Sequence, residues 1–115
     1  MKNETAIEFC ERTQPKKTQE FKRLMDEMYE LFCRKQRNYG SGNISLGTML
    51  KTEDEKRLAL MGLFFRKNDK IQRIKQLVAL SQPNEVENES VADTYTDLAI
   101  YSIISLIVLN DEWAE

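Results

Sequence analysis

Residues 98–109 carry no charge, and their only polar side chains are Tyr101, Ser102 and Ser105. Directly before and into this run, Glu89, Ser90, Asp93, Thr94, Asp97 and Tyr101 recur at steps of three and four. That spacing stacks three carboxylates and a tyrosine along one face of a helix. A helix that is apolar on every side has to be packed against something. Its acids therefore border an interior rather than open solvent. The uncharged run is about half of the ~20 residues that a bilayer span requires, so a core helix is expected and no membrane partner.

A second segment carries the opposite sign at the same spacing: Arg66-x-x-Asp69-Lys70-x-x-Arg73. At roughly 100° per residue these side chains cluster on one flank of their helix, about a quarter turn from its apolar face. The two stripes predict a pair of helices with either a polar site or a half-buried ion network between them.

The rest of the chain is also read as helical. Phe21, Leu24, Met25, Met28 and Phe32 follow the helical period, and with Thr18 as N-cap and Gly40 as stop they predict a helix over about 18–37. Thr52 and Glu55 form a capping-box pattern that opens a helix over about 53–80, and a last helix covers about 86–112. A short helix over 4–12 is expected to end at Pro15. Residues 38–52 hold three of the four glycines and read as a loop. The expected fold is all-α, a single domain over residues 1–115: a small bundle of three main helices plus the short N-terminal one. At 115 residues one such core is feasible without staples.

Composition removes several function classes. There is no histidine, which excludes Ser-His-Asp and Cys-His catalysis and His-ligated zinc. Cys10 and Cys33 lack metal or redox spacing and read as two reduced, part-buried thiols. A net charge of −2 argues against direct binding to duplex DNA, which needs many cationic contacts to phosphate. The N-terminus has no apolar run of the kind a signal peptide carries, so a cytoplasmic location is expected.

What remains is chemistry by carboxylates, cations, hydroxyls and hard metals. Glu89, Asp93 and Asp97 are candidate ligands for Mg²⁺, which typically takes one or two carboxylates with waters and phosphate oxygens. Arg66, Lys70 and Arg73 are candidate phosphate donors. Tyr39, Phe65 or Tyr101 could stack on a base, and Ser90 or Thr94 could bond to a sugar or base edge. A small-molecule nucleotide is the expected ligand.

These residues resemble the phage and bacterial family called nucleotide modification associated domain 1. The resemblance rests on Lys35-x-x-x-Tyr39-Gly40, on Gly62-x-x-x-Arg66-x-x-Asp69-Lys70-x-x-Arg73-x-x-x-Leu77, and on Glu89-Ser90-x-x-Asp93-Thr94-x-x-Asp97-Leu98-x-x-Tyr101. Asn38 stands where the family often has Asp. The resemblance implies a phage-type protein of nucleotide metabolism or base modification, acting in the host cytoplasm, with no established reaction to carry over; Lys35 in its first motif joins Tyr39 and Asp69 among the candidate ligand-binding residues. A more distant likeness is to the all-α nucleoside triphosphate pyrophosphatases, which pair Glu-x-x-Glu with a later Glu-x-x-Asp. Here Glu27-x-x-Glu30 is present, but the later acids are spaced by four, and Glu27 and Glu30 read as a solvated face.

Three readings stay open. The chain binds a phosphorylated nucleotide or nucleotide second messenger, sequestering it, as in counter-defence against host immune signalling. Alternatively it is a Mg²⁺-dependent nucleotide pyrophosphohydrolase. In the third reading it is an interaction protein with a purely structural ion network. A homo-oligomer is expected, with Leu106, Val108, Leu109 and Trp113 packing either within one chain or across a two-fold axis.

Overall fold

The computed structural model describes residues 3–115. Among the described residues five α-helices follow in order: α1 (Ala6–Thr13), α2 (Pro15–Tyr39), α3 (Gly42–Ser45), α4 (Glu53–Ile74) and α5 (Val91–Leu109), with a π-helical turn, Lys75–Ala79, extending α4. The described residues contain no strand, and the fold is all-α. The chain divides into two compact units, Met1–Lys35 and Gln36–Glu115.

In the first unit, Thr5 and Glu8 make a reciprocal capping box at the start of α1. Pro15 does not merely stop the chain. It is the first residue of α2, where its missing N–H costs nothing and its fixed φ suits the helix. Thr18 is accordingly inside α2, and its hydroxyl donates to the Gln14 and Pro15 carbonyls instead of capping. Glu27 and Glu30 pair with Arg23 and Arg34 on the solvated surface, as the sequence predicts.

In the second unit, Gly40 ends α2 at φ 70°, the left-handed backbone that a helix C-terminus favours in glycine. Residues 40–50 contain the short α3, which four residues of irregular pattern do not announce. Thr52 and Glu55 form the expected capping box on α4. The helix then loosens into the π turn, where Leu80 N–H donates to the Lys75 carbonyl at 3.0 Å. The last helix begins at Val91, not 86, because Ser90 and Asp93 make a third capping box.

Helices α4 and α5 run antiparallel, since Lys67, Lys70 and Arg73 meet Ser105, Asp97 and Thr94 in turn. Ala59 and Leu63 of α4 with Ile100, Ile104 and Val108 of α5 form the core, closed by Ile44, Leu50 and Trp113. Trp113 is thus buried within this unit, and its indole N–H donates to the Ser41 carbonyl at 3.2 Å. At roughly 1.5–3 kcal/mol for each fully buried large side chain, so short a core leaves polar contacts between the helices a large share of the stability.

Candidate functional site

The C-terminal end of α4 lies beside the N-terminal end of α5. Helix dipoles favour cations at the first and carboxylates at the second. Lys70 and Arg73 on α4, with Glu89 and Asp93 at the start of α5, follow that rule. Their local placement therefore has an electrostatic cause independent of any ligand.

Lys70 Nζ lies 3.1 Å from Glu89 and 3.0 Å from Asp97, and all three side chains are largely withdrawn from solvent. Burial pulls the Lys70 ammonium toward its neutral form, but hydrogen bonds and charge from Asp97 and Glu89 outweigh it and hold its pKa above the ordinary lysine value. A pKa raised in the folded state stabilises the fold fully below the unfolded value, ~10.4, and that contribution is lost as pH climbs through the folded value. The difference in Tm between the native chain and Lys70→Ala is accordingly constant from neutral pH to about pH 10 and shrinks above it, which scanning calorimetry across that range reads directly.

Arg73 is more deeply engaged. Its guanidinium donates to the Thr94 hydroxyl, to the Ser90 carbonyl at 3.3 Å, to the Glu89 carbonyl at 2.8 Å and to Asn84 Oδ1 at 2.8 Å. Asn84 Nδ2 donates to the same Glu89 carbonyl at 2.8 Å. One planar fork thus ties α4 to the loop before α5 and to the first turn of α5. Thr94 is 1 % exposed and serves Arg73. Ser90 and Asp93 serve each other's backbone N–H groups at 3.0 Å.

Glu89, Asp93 and Asp97 are therefore not gathered on one point. Among the described residues no cluster of three Asp, Glu or Cys side chains is close enough to hold a metal ion. A divalent ion shared by Glu89 and Asp97 would have to displace the Lys70 ammonium, so the carboxylates as arranged do not fit Mg²⁺. A shallow groove of about 440 Å³ beside them is lined by Glu87, Glu89 and Asp93, whose charge opposes phosphate.

Arg66 differs. Its side chain is half-buried, it donates one hydrogen bond, to the Asn43 carbonyl at 2.9 Å, and its guanidinium stands 5.8 Å from the Tyr101 ring centroid. No carboxylate pairs with it among the described residues. Most of its five donors stay uncommitted. Beside it, Asn43 Oδ1 is buried and has no hydrogen-bond partner, a cost of about 1–3 kcal/mol for a group left unsatisfied. The sequence does not single out Asn43 or Asn84. Asn84 has a turn signal in Gln82-Pro83-Asn84, whereas Asn43 has none beyond its Gly-rich surroundings.

Residues 65–109 match the family model of nucleotide modification associated domain 1. The matched segment holds Arg66, Lys70, Arg73, Glu89, Asp97 and Tyr101, the residues that join α4 to α5. No curated protein and no solved structure matches the chain. Lys35, Tyr39 and Gly40 lie outside the matched segment. Lys35 belongs to the first unit and is half-buried, while Tyr39, in the second unit, is 68 % exposed. Asp69 is exposed on α4 and makes no ion pair among the described residues. The structure therefore brings Arg66 with Tyr101 together, and separately Lys70 with Glu89 and Asp97, and Arg73 with Ser90 and Thr94.

Proposed function

We propose that this chain binds a phosphorylated nucleotide where α3, α4 and α5 meet, and holds it without turnover. The observation that carries this reading is the half-buried Arg66, a cation with spare donors and no carboxylate, next to the unpartnered Asn43 Oδ1. A guanidinium fork of this kind suits phosphate oxygens, and a sugar hydroxyl or base amino group would satisfy the asparagine oxygen. Tyr39, at the edge of the same loop, offers an exposed ring for stacking. The match to a family described by nucleotide modification supports the ligand class. Binding is favoured over hydrolysis because the acids that a metal would need are held on Lys70 and on a helix cap, and because the chain has no histidine. A nucleotide held intact is withdrawn from the pool, so sequestration is the proposed outcome.

Calorimetry and thermal shift with nucleoside mono-, di- and triphosphates and cyclic dinucleotides, each with Mg²⁺ or with chelator, test the proposal. The expected result is stabilisation that persists in chelator, with the ligand recovered intact by mass spectrometry. Arg66→Ala should weaken binding about 10- to 100-fold, as expected for losing one charge-assisted contact of about 1.5–3 kcal/mol, while circular dichroism stays native. Unchanged affinity in Arg66→Ala, or no shift with any nucleotide, overturns it. Metal-dependent loss of the ligand would favour the hydrolase instead.

A further inference from the structure

From Leu98 onward helix α5 is apolar on every side, yet Ile103, Leu106 and Leu109 on it stand about half exposed. By length and composition it could cross a membrane, but its charge-free part, 98–109, spans only about 18 Å at the helical rise against the ~30 Å of a hydrocarbon core. The other end carries Asp93 and Asp97. A protein surface is the better match.

That outer face has a repeat. Tyr95, Ala99, Ser102, Leu106 and Leu109 follow at alternating steps of four and three, the spacing of a helix–helix seam. Tyr95, Leu106 and Leu109 are 48 %, 58 % and 53 % exposed. Small residues occupy the middle and large ones the ends. An antiparallel second copy with its two-fold axis near Ser102 would set Ala99 against Leu106, Tyr95 against Leu109, and Ser102 against itself. Leu106 then meets the small Ala99, the bulky Tyr95 and Leu109 meet each other only at the two ends of the seam, and the seam carries no charge.

The face continues onto α4. The hydrogen bond from Lys67 Nζ to Ser105 Oγ, 3.0 Å, places the Lys67 flank of α4 beside the Ser105 flank of α5. Phe64 and Ile71, one turn either side of Lys67, are 52 % and 50 % exposed. These two with Tyr95, Leu106 and Leu109 leave on the order of 500 Å² of apolar side chain open, as large as the biggest patch on a typical monomer. Two such patches together give roughly 1,000 Å², the lower limit for a specific interface between proteins.

From this we infer that the chain forms a two-fold dimer by antiparallel packing of α5 on α5 of a second copy, with α4 of each chain flanking the seam. The pairing is isologous, so one patch serves both subunits. It is independent of nucleotide binding, which lies on the Arg66 flank.

Sedimentation and light scattering of the full chain should give twice the 13.5 kDa chain mass. Ala99→Leu sets leucine against leucine and should yield monomer, and adding Leu106→Ala, which swaps large and small, should restore the dimer. Ser102→Cys, in a chain with Cys10→Ser and Cys33→Ser, should form a disulfide-linked dimer under mild oxidation, whereas Asn68→Cys should not. The cysteine test decides the matter even if the packing variants misfold. A monomeric native chain, with or without adsorption to lipid vesicles, overturns the inference. So does a dimer that Ser102→Cys fails to cross-link, which would place the interface elsewhere.

Discussion

Arg73→Ala lowers the Tm by about 15 °C, the expected consequence of losing roughly 3 kcal/mol in a unit of this size. The loss comes less from the arginine's own bonds than from what it leaves behind. The Glu89 carbonyl, the nearly inaccessible Thr94 hydroxyl and Asn84 Oδ1 all lose a charged donor, and hydrogen bonds to charged groups contribute about 1.5–3 kcal/mol each before relaxation. Asn84 remains to serve Glu89, and the Thr94 hydroxyl still donates to the Ser90 carbonyl at 3.2 Å, which is why the expected loss is below the sum. Arg73→Lys keeps the charge but not the fork and should recover less than half of the difference. Chemical denaturation reads both. A change within about 0.5 kcal/mol would mean that the loop before α5 is held by something other than this side chain.

Lys70→Ala should cost about 2–3 kcal/mol, because removing the cation nearest to both acids leaves Glu89 only the Arg73 guanidinium at 3.9 Å and takes the ammonium from Asp97. Glu89 and Asp97 would then face each other across the vacated space. Two carboxylates so placed are a reasonable ligand pair for a hard divalent ion. Millimolar Mg²⁺ or Ca²⁺ should therefore raise the Tm of Lys70→Ala and leave that of the native chain unchanged. The differential response separates two histories of the acidic stripe. If Mg²⁺ stabilises the native chain as strongly, the ammonium yields to metal readily and the hydrolase reading gains; if it stabilises neither, the carboxylates are too far apart to share an ion.

Much of the architecture was legible because helices announce themselves by period and caps. Thr52 with Glu55 marked the start of α4, and Gly40 the end of α2. The same logic applies to Ser90 and Asp93, yet their pattern reads equally well as a row of ligands, and only their mutual backbone hydrogen bonds tell a cap from a site. Pro15 was ambiguous for a related reason: proline closes one helix as readily as it opens the next. The facing of the two charged stripes was visible in their spacing. Which cation meets which acid was not. Arg73 turns mainly to backbone carbonyls and to Thr94 and Asn84, which no charge pattern reveals, and this leaves Lys70 as the nearest cation to both Glu89 and Asp97. Arg66 came out different from its neighbours only through Asn43, a residue without periodicity in a loop whose short helix is too brief to leave a signature.

The chain has one tryptophan, and it is Trp113, whose indole is anchored on the Ser41 carbonyl two residues before Asn43. Its emission is a built-in optical gauge of whether the 40–50 segment is seated. Any molecule that settles against Arg66 and Asn43 tugs on the same short stretch of backbone. Occupancy is thus expected to register in the fluorescence of unlabelled protein, once the absorption of the added nucleotide is corrected with free tryptophan.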